Sequence, residues 1–378
     1  MNVAEARIQK VLDELVARGV ERGLQVAAFL DGELVVDAWA GLADASTGRP
    51  VDGDTLFCVF SCSKGILATA IHLLAERGKL RYDDLVADYW PEFASHGKER
   101  ITIRQVLSHT AGVPQMPPGS TVADMCDWDE MCRKISRLAP LWEPGTQTGY
   151  HARTFGYILG EVARRADGRP INQFVREEIC RPLEIDDLYF GIPDSVEPRV
   201  ATLEQLPAAE PPPVPPGSLA HLAIPPNLPA SPEIFNRPDI RRACIPSSSG
   251  IMNARALARH YAALAGGKLL SPERINIART LQTDGLDLVT GAASPKGLGY
   301  FLGGPLSPMG DRPTAFGHPG SGGSIGFADP EHRFAFALTK TRLVNSLPGR
   351  GAAYRVARET RAALGIPEGD GSSPGAVD

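Results

Sequence analysis

The stretch that decides the fold runs from Thr55 to Gly78: TLFCVFSCSKGILATAIHLLAERG. Thr55 to Phe60 is an extended, mostly apolar run, and after it Ile66, Leu67, Ala70, Ile71 and Leu74 recur at helical spacing until Gly78. Ser61 and Lys64 therefore open a helix that follows an extended segment. Three residues apart, they share one turn, so the amine lies beside the hydroxyl and can take its proton if burial lowers its pKa. The helix N-terminus adds a positive field at the same place. With 21 serines and 8 lysines, chance alone gives roughly 0.4 S-x-x-K pairs, so the tetrapeptide needs its context. A second one, Ser95-His-Gly-Lys98, sits in a polar loop after Trp90-Pro91 with no apolar helical run behind it, and is read as non-catalytic.

Working outward, an amphipathic helix with Ile8, Leu12, Leu15 and Val16 on one face precedes two strand-like runs, Gln25 to Leu30 and Glu33 to Trp39. They are joined by the hairpin signal Asp31-Gly32. Residues 81–190 alternate helical patterns with turns (Ile103 to His109, Met125 to Leu138, Thr154 to Arg165, Ile171 to Ile179) and read as an all-helical block. Ten prolines fall within residues 207–232, which excludes a helix interior or central strand and predicts an extended, surface-wrapping connection. A helix follows at Ala254 to Ala265, then strands at Gly299 to Leu302, Gly323 to Ala328 and Phe334 to Thr339, and a last helix from Gly351 to Leu364. The Gly-, Pro- and Ser-rich remainder, 365–378, reads as a disordered tail. Strands at both ends with helices between them predict an α/β (α+β) protein. Its sheet domain is built from 1–80 and 240–364, its mainly helical domain is 81–206, and a Pro-rich connection covers 207–239.

Four segments occur in order: Phe57 to Lys64 with its helix, Thr102 to Pro114 (TIRQVLSHTAGVP), Trp142 to Gly160 (WEPGTQTGYHARTFGYILG) and Gly317 to Pro330 (GHPGSGGSIGFADP). Together they resemble the serine β-lactamase and penicillin-binding-protein superfamily, nearest to its class C branch and the related carboxylesterases and acyltransferases. The resemblance covers about Gly23 to Leu343. It implies a β-lactamase/transpeptidase-like fold, a mixed antiparallel sheet flanked by helices plus an all-helical domain, with the site in the cleft. It also implies Ser61 as nucleophile, Lys64 as base, and Tyr150 as a phenolate or a partner sharing its proton with Lys64. His318-Pro-Gly320 matches a third motif on an edge strand, where a cationic or donating His318 would orient the acyl or leaving group. The N–H groups of Ser61 and Ser321 would form the oxyanion hole, and His151 would support the site or touch substrate. Such relatives usually carry Tyr-x-Asn and a Lys-initiated third motif, whereas this chain has Tyr150-His151-Ala152 and His318. Both departures point away from β-lactams and toward esters.

The expectation is a serine-dependent carboxylesterase acting on a small-molecule ester or acyl substrate without cofactor. Acyl transfer to an alcohol or amine is the alternative, and a β-lactamase or a non-catalytic binding protein is less favoured. The eight histidines contain no HxH or HExxH pair and the cysteines no CxxC pair, which argues against a metal site. A formal charge of -5 argues against nucleic acid. No run of about 18 apolar residues and no signal pattern is present, so a cytoplasmic protein with reduced cysteines is expected, free of the membrane. A homo-oligomer is left open. Ser324 in Gly322-Gly-Ser-Ile-Gly326 fits G-x-S-x-G, but that elbow needs a strand before the serine and a helix after it, and a strand-like run includes or follows this one. Ser373 repeats the pattern in the tail, and Lys340-Thr341 is followed by Arg342 where Lys-Thr-Gly would need glycine. His72, His109 and Trp142 read as packing residues.

Overall fold

The computed structural model describes residues 2–205, 214–344 and 346–369. Alternation along Gly23–Leu30 sends Leu24, Val26 and Ala28 to one face and Ala27 and Phe29 to the other; Phe334–Lys340 repeats the pattern, so both strands are covered on two sides. They pair antiparallel, with Leu24 opposite Lys340, at the centre of a seven-stranded sheet. Its order is Arg49–Pro50, Glu33–Asp44, Gly23–Leu30, Phe334–Lys340, Ile325–Asp329, Phe316–Pro319 and Phe301–Leu302. One face packs on helices Val3–Ala17 and Gly351–Ala363, the other on Ala254–Ala265. That last helix comes close because Gly326 has no side chain: a Cβ there would meet Leu257 and Tyr261.

The helix Cys62–Glu76 is apolar around its circumference and buried from Cys62 through Ala75, as a helix enclosed on all sides must be. It lies between the sheet strand Phe316–Pro319 and the helix Thr154–Asp167. Ser61 at its start thus faces the junction of the two halves.

Several expectations need correction. Met125 to Leu138 forms two helices, Val122–Cys126 and Trp128–Ser136, because Asp127 turns extended and caps the second by accepting the Glu130 N–H. The block read as all-helical contains the strand Leu188–Phe190, which pairs with Gly250–Met252; the latter also pairs with Phe57–Cys58 and so anchors the segment leading into Ser61. The Pro-rich stretch is not extended throughout, since Leu219–Ala223 forms a short helix between Pro216 and Pro225 with Ser218 as N-cap. Residues 206–213 of that stretch lie outside the described residues. Residues 365–369, assigned to the tail, are packed: Ile366 is buried and Glu368 accepts from Arg361 at 2.8 Å. The rest of the tail, Ser373 included, lies outside the described residues. Among the described residues no helix is long and apolar enough to cross a membrane.

Candidate active site

A tight turn presents Ser61. Phe60 adopts the left-handed region at φ 47°, and Ser63 Oγ donates to the Phe60 carbonyl at 2.5 Å while accepting the Gly250 N–H at 3.0 Å. Ser61 occupies the N-cap position without making a side-chain cap, which leaves its hydroxyl to Lys64. Lys64 Nζ lies 3.0 Å from Ser61 Oγ, 2.8 Å from the Ala152 carbonyl and 2.8 Å from the Ser247 carbonyl. Burial, and next the Arg153 guanidinium, hold this amine well below the ordinary lysine range. A neutral amine here donates to both carbonyls and turns its lone pair to the serine.

Tyr150 closes the site from the helical side. Its hydroxyl is turned toward Ser61, and its ring centre lies 4.9 Å from Lys64 Nζ and 4.9 Å from the ring of His109. Burial pushes the phenol up, which favours the neutral form over the phenolate.

His318 needs a larger correction. Its strand is not at the sheet edge, because Phe301–Leu302 pairs outside it. His318 Nδ1 stands 2.7 Å from the Pro319 carbonyl and donates to it; Nε2 is buried and has no protein partner among the described residues. Burial pushes the imidazole down to about 3. It is therefore neither cationic nor a donor toward the cleft, and it presents a lone pair. Of the two roles open to His151, the hydrogen bonds favour support of the site. Its Nδ1 donates to the Gly149 carbonyl at 2.7 Å and its Nε2 accepts the Val113 N–H at 3.0 Å, so neither nitrogen is left for substrate. Burial holds it neutral, with a pKa of about 4.

Gly320 brings the third motif to the turn that carries Ser61. Its backbone is extended, and a Cβ on it would collide with the Val59 carbonyl oxygen. This approach sets the 3-10 turn that begins at the exposed Ser321 against the turn that carries Ser61. Neither residue's N–H has a backbone acceptor among the described residues, so both are available to a developing oxyanion.

The β-lactamase family model matches residues 8–361. The chain belongs to the β-lactamase family. It is 36% identical over 342 residues to the Esterase/beta-lactamase LipL of Mycobacterium tuberculosis, covering 86% of this chain and 78% of that protein. Among solved structures it is similar to a family VIII carboxylesterase (TM-score 0.89, 33% identity, 96% of this chain and 98% of that one). It is likewise similar to a penicillin-binding-protein homolog from Caulobacter crescentus (TM-score 0.88, 37% identity, 96% and 98%). The β-lactamase/transpeptidase-like fold expected from sequence is the fold observed.

The other S-x-x-K pair of this β-lactamase-family chain is a staple: Lys98 Nζ donates to the carbonyls of Ser95 at 2.8 Å, Ser136 at 2.9 Å and Leu138. Ser324 precedes a strand, not a helix, and its carbonyl accepts the Gly320 N–H at 2.7 Å. Lys340 pairs with Glu21. His72 is satisfied by Tyr82 and the Leu298 carbonyl. Sequence reasoning missed Arg153, which is buried, donates to the Leu228 carbonyl at 2.6 Å and directly follows the second motif. It also missed Asp287 and Lys296, whose spacing matches no pattern. A cavity of about 580 Å³ borders Phe301, Pro319, Gly320 and Ser324, with Leu306 and Leu347 at its wall; Ser61, Lys64 and Tyr150 do not line it.

Proposed function

We propose that this protein is a serine carboxylesterase that cleaves small-molecule esters through an acyl-enzyme on Ser61. The observation that carries the reading is the contact set of Lys64 Nζ: carbonyls at 2.8 Å take two of its N–H groups, and the Ser61 hydroxyl stands 3.0 Å away, where the deprotonated amine would turn its lone pair. Lys64 takes the hydroxyl proton as Ser61 Oγ bonds to the ester carbonyl carbon. Negative charge developing on the carbonyl oxygen falls to the N–H groups of Ser61 and Ser321. The proton passes from Lys64, by way of the Tyr150 hydroxyl, to the leaving alkoxide, and the alcohol departs. Water then attacks the acyl-enzyme with the same amine as base, which restores Ser61 and releases the acid. The neighbouring cavity has the size of a small-molecule pocket for the apolar part of the substrate. The relatives named as esterases support esters as substrates. Six free cysteines suit a reducing, cytoplasmic setting.

The test is Ser61→Ala, assayed with p-nitrophenyl butyrate and with a fluorophosphonate followed by peptide mass mapping. The native protein gains one adduct, on Ser61, while the variant gains none and loses several orders of magnitude in turnover. An adduct on Ser324, or a fully active variant, overturns the reading. Added alcohols or amines, with ester or amide products measured, read out acyl transfer in competition with water.

A further inference from the structure

We propose that Asp287 and Lys296 are positioning residues for Tyr150, a buried ion pair that fixes the tyrosine's main chain and thereby aims its hydroxyl at Ser61. The proposal rests on the reading that Tyr150 moves a proton at Ser61. Asp287 Oδ1 accepts three main-chain N–H groups, from Tyr150, Val289 and Thr290, each at 3.0 Å. Its second oxygen lies 2.9 Å from Lys296 Nζ, and the side chains are 1% and 2% exposed. The two residues sit on a short ladder of irregular chain, closed by Thr283 and Lys296 and docked on the site segment by the Leu288 N–H donating to the Thr148 carbonyl at 3.0 Å.

A buried ion pair is an inefficient way to stabilise a fold, because desolvating two charges offsets most of their attraction and apolar residues of similar volume do as well. Its distinguishing property is geometric. A carboxylate accepting the Tyr150 N–H holds that peptide plane in one orientation, and Lys296 holds the carboxylate. Lys296 also lies 5.7 Å from the ring centre of Phe301, whose ring stands 6.1 Å from that of Tyr150 and 4.9 Å from that of His318. The pair therefore braces the tyrosine at its backbone and, through Phe301, at its ring. Although burial pushes the Asp287 carboxyl up, Lys296 and the N–H groups of Thr290 and Tyr150 hold it below the ordinary range.

The experiment compares Asp287→Ala, Asp287→Asn and Lys296→Met in the native and Tyr150→Phe backgrounds. Turnover of p-nitrophenyl butyrate is referred to folded protein measured by near-ultraviolet circular dichroism. With Tyr150 present, Asp287→Ala should lower kcat about ten- to a hundredfold, the scale of a sub-ångström to ångström misplacement, and leave KM within about twofold. Asp287→Asn, which keeps an acceptor for the Tyr150 N–H, should recover part of the loss. In the Tyr150→Phe background the same substitutions should change kcat by less than about twofold, because the group they aim is gone. Equal losses in both backgrounds overturn the positioning role and leave the reading of Tyr150 standing. A Tyr150→Phe enzyme as fast as the native one overturns both. Should Asp287→Ala not fold, Lys296→Met carries the comparison, and an unchanged kcat in it counts against the proposal.

Discussion

Gly320 packs its Cα against the carbonyl oxygen of Val59, so the turn that carries Ser321 rests directly on the turn that carries Ser61. An added Cβ would overlap that oxygen and stand 3.2 Å from Cys62 Sγ. The backbone there, φ −107°, suits any residue, so space and not conformation demands glycine. Gly320→Ala must therefore part the two turns and pull the Ser321 N–H off the oxyanion. Loss of one such donor costs about 10²–10³ in kcat. The expected result is a drop of that size with p-nitrophenyl butyrate in a protein that still melts cooperatively; full activity would show that the Ser321 N–H is not used.

With Lys64 as the proposed base, its amine should set the acid limb of the pH profile. Such a base works unprotonated, and burial followed by the Arg153 charge depresses its pKa below the ordinary 10.5. Activity is then complete above the depressed value and is lost as pH falls through it, so kcat/KM stays on its plateau far below pH 10.5. Arg153→Met removes a neighbouring cation, makes the ammonium easier to form, and should move the acid limb to higher pH. A limb that stays in place would mean that burial alone sets the amine.

Ala152 weakens the case for β-lactams. Its carbonyl is taken by Lys64, and its methyl group offers nothing to the amide side chain of a penicillin or cephalosporin. An unmade hydrogen bond on burial costs about 1–3 kcal/mol, or roughly one to two powers of ten in specificity. Nitrocefin should be cleaved with a kcat/KM at least about tenfold below that for p-nitrophenyl butyrate. Equal or faster nitrocefin turnover would contradict the preference.

The cavity beside Gly320 makes a chain-length prediction. Gly304 lines it, and a Cβ there meets nothing within 4 Å, so a larger side chain can enter without disturbing the backbone. Gly304→Phe should leave p-nitrophenyl acetate within about twofold and lower kcat/KM for the octanoate about tenfold, the cost of losing a few buried methylenes. Parallel losses on both esters would place the substrate's alkyl part elsewhere.

How much of this was legible in sequence follows from how local each feature is. Ser61 and Lys64 share one helical turn, so their spacing alone brings the two groups together, and Tyr150 and His318 were found through the order of their segments. The charge of His318 was not legible, since distant elements bury it and Lys64 stands beside it. His151 is bound at one nitrogen by Gly149, two residues away, and at the other by Val113, 38 residues away, which no pattern reports. Asp287 and Lys296 lie in irregular chain where periodicity carries no information. The strand Leu188–Phe190 is only three residues long, too short to show alternation, and the helix Leu219–Ala223 hides between prolines that mark its two ends.

The pairing of Gly23–Leu30 with Phe334–Lys340 also dictates when the molecule can be assembled. Leu24 leaves the ribosome roughly 300 residues before its partner Lys340, an interval of roughly 15–60 s at about 5–20 residues per second. Throughout that time the N-terminal hairpin is a nascent apolar ribbon with one open edge, and truncation before Phe334 leaves it so permanently. Synthesis must therefore be nearly complete before the sheet can close, which makes the unfinished chain a client for chaperones and gives C-terminal deletions an all-or-nothing effect on yield.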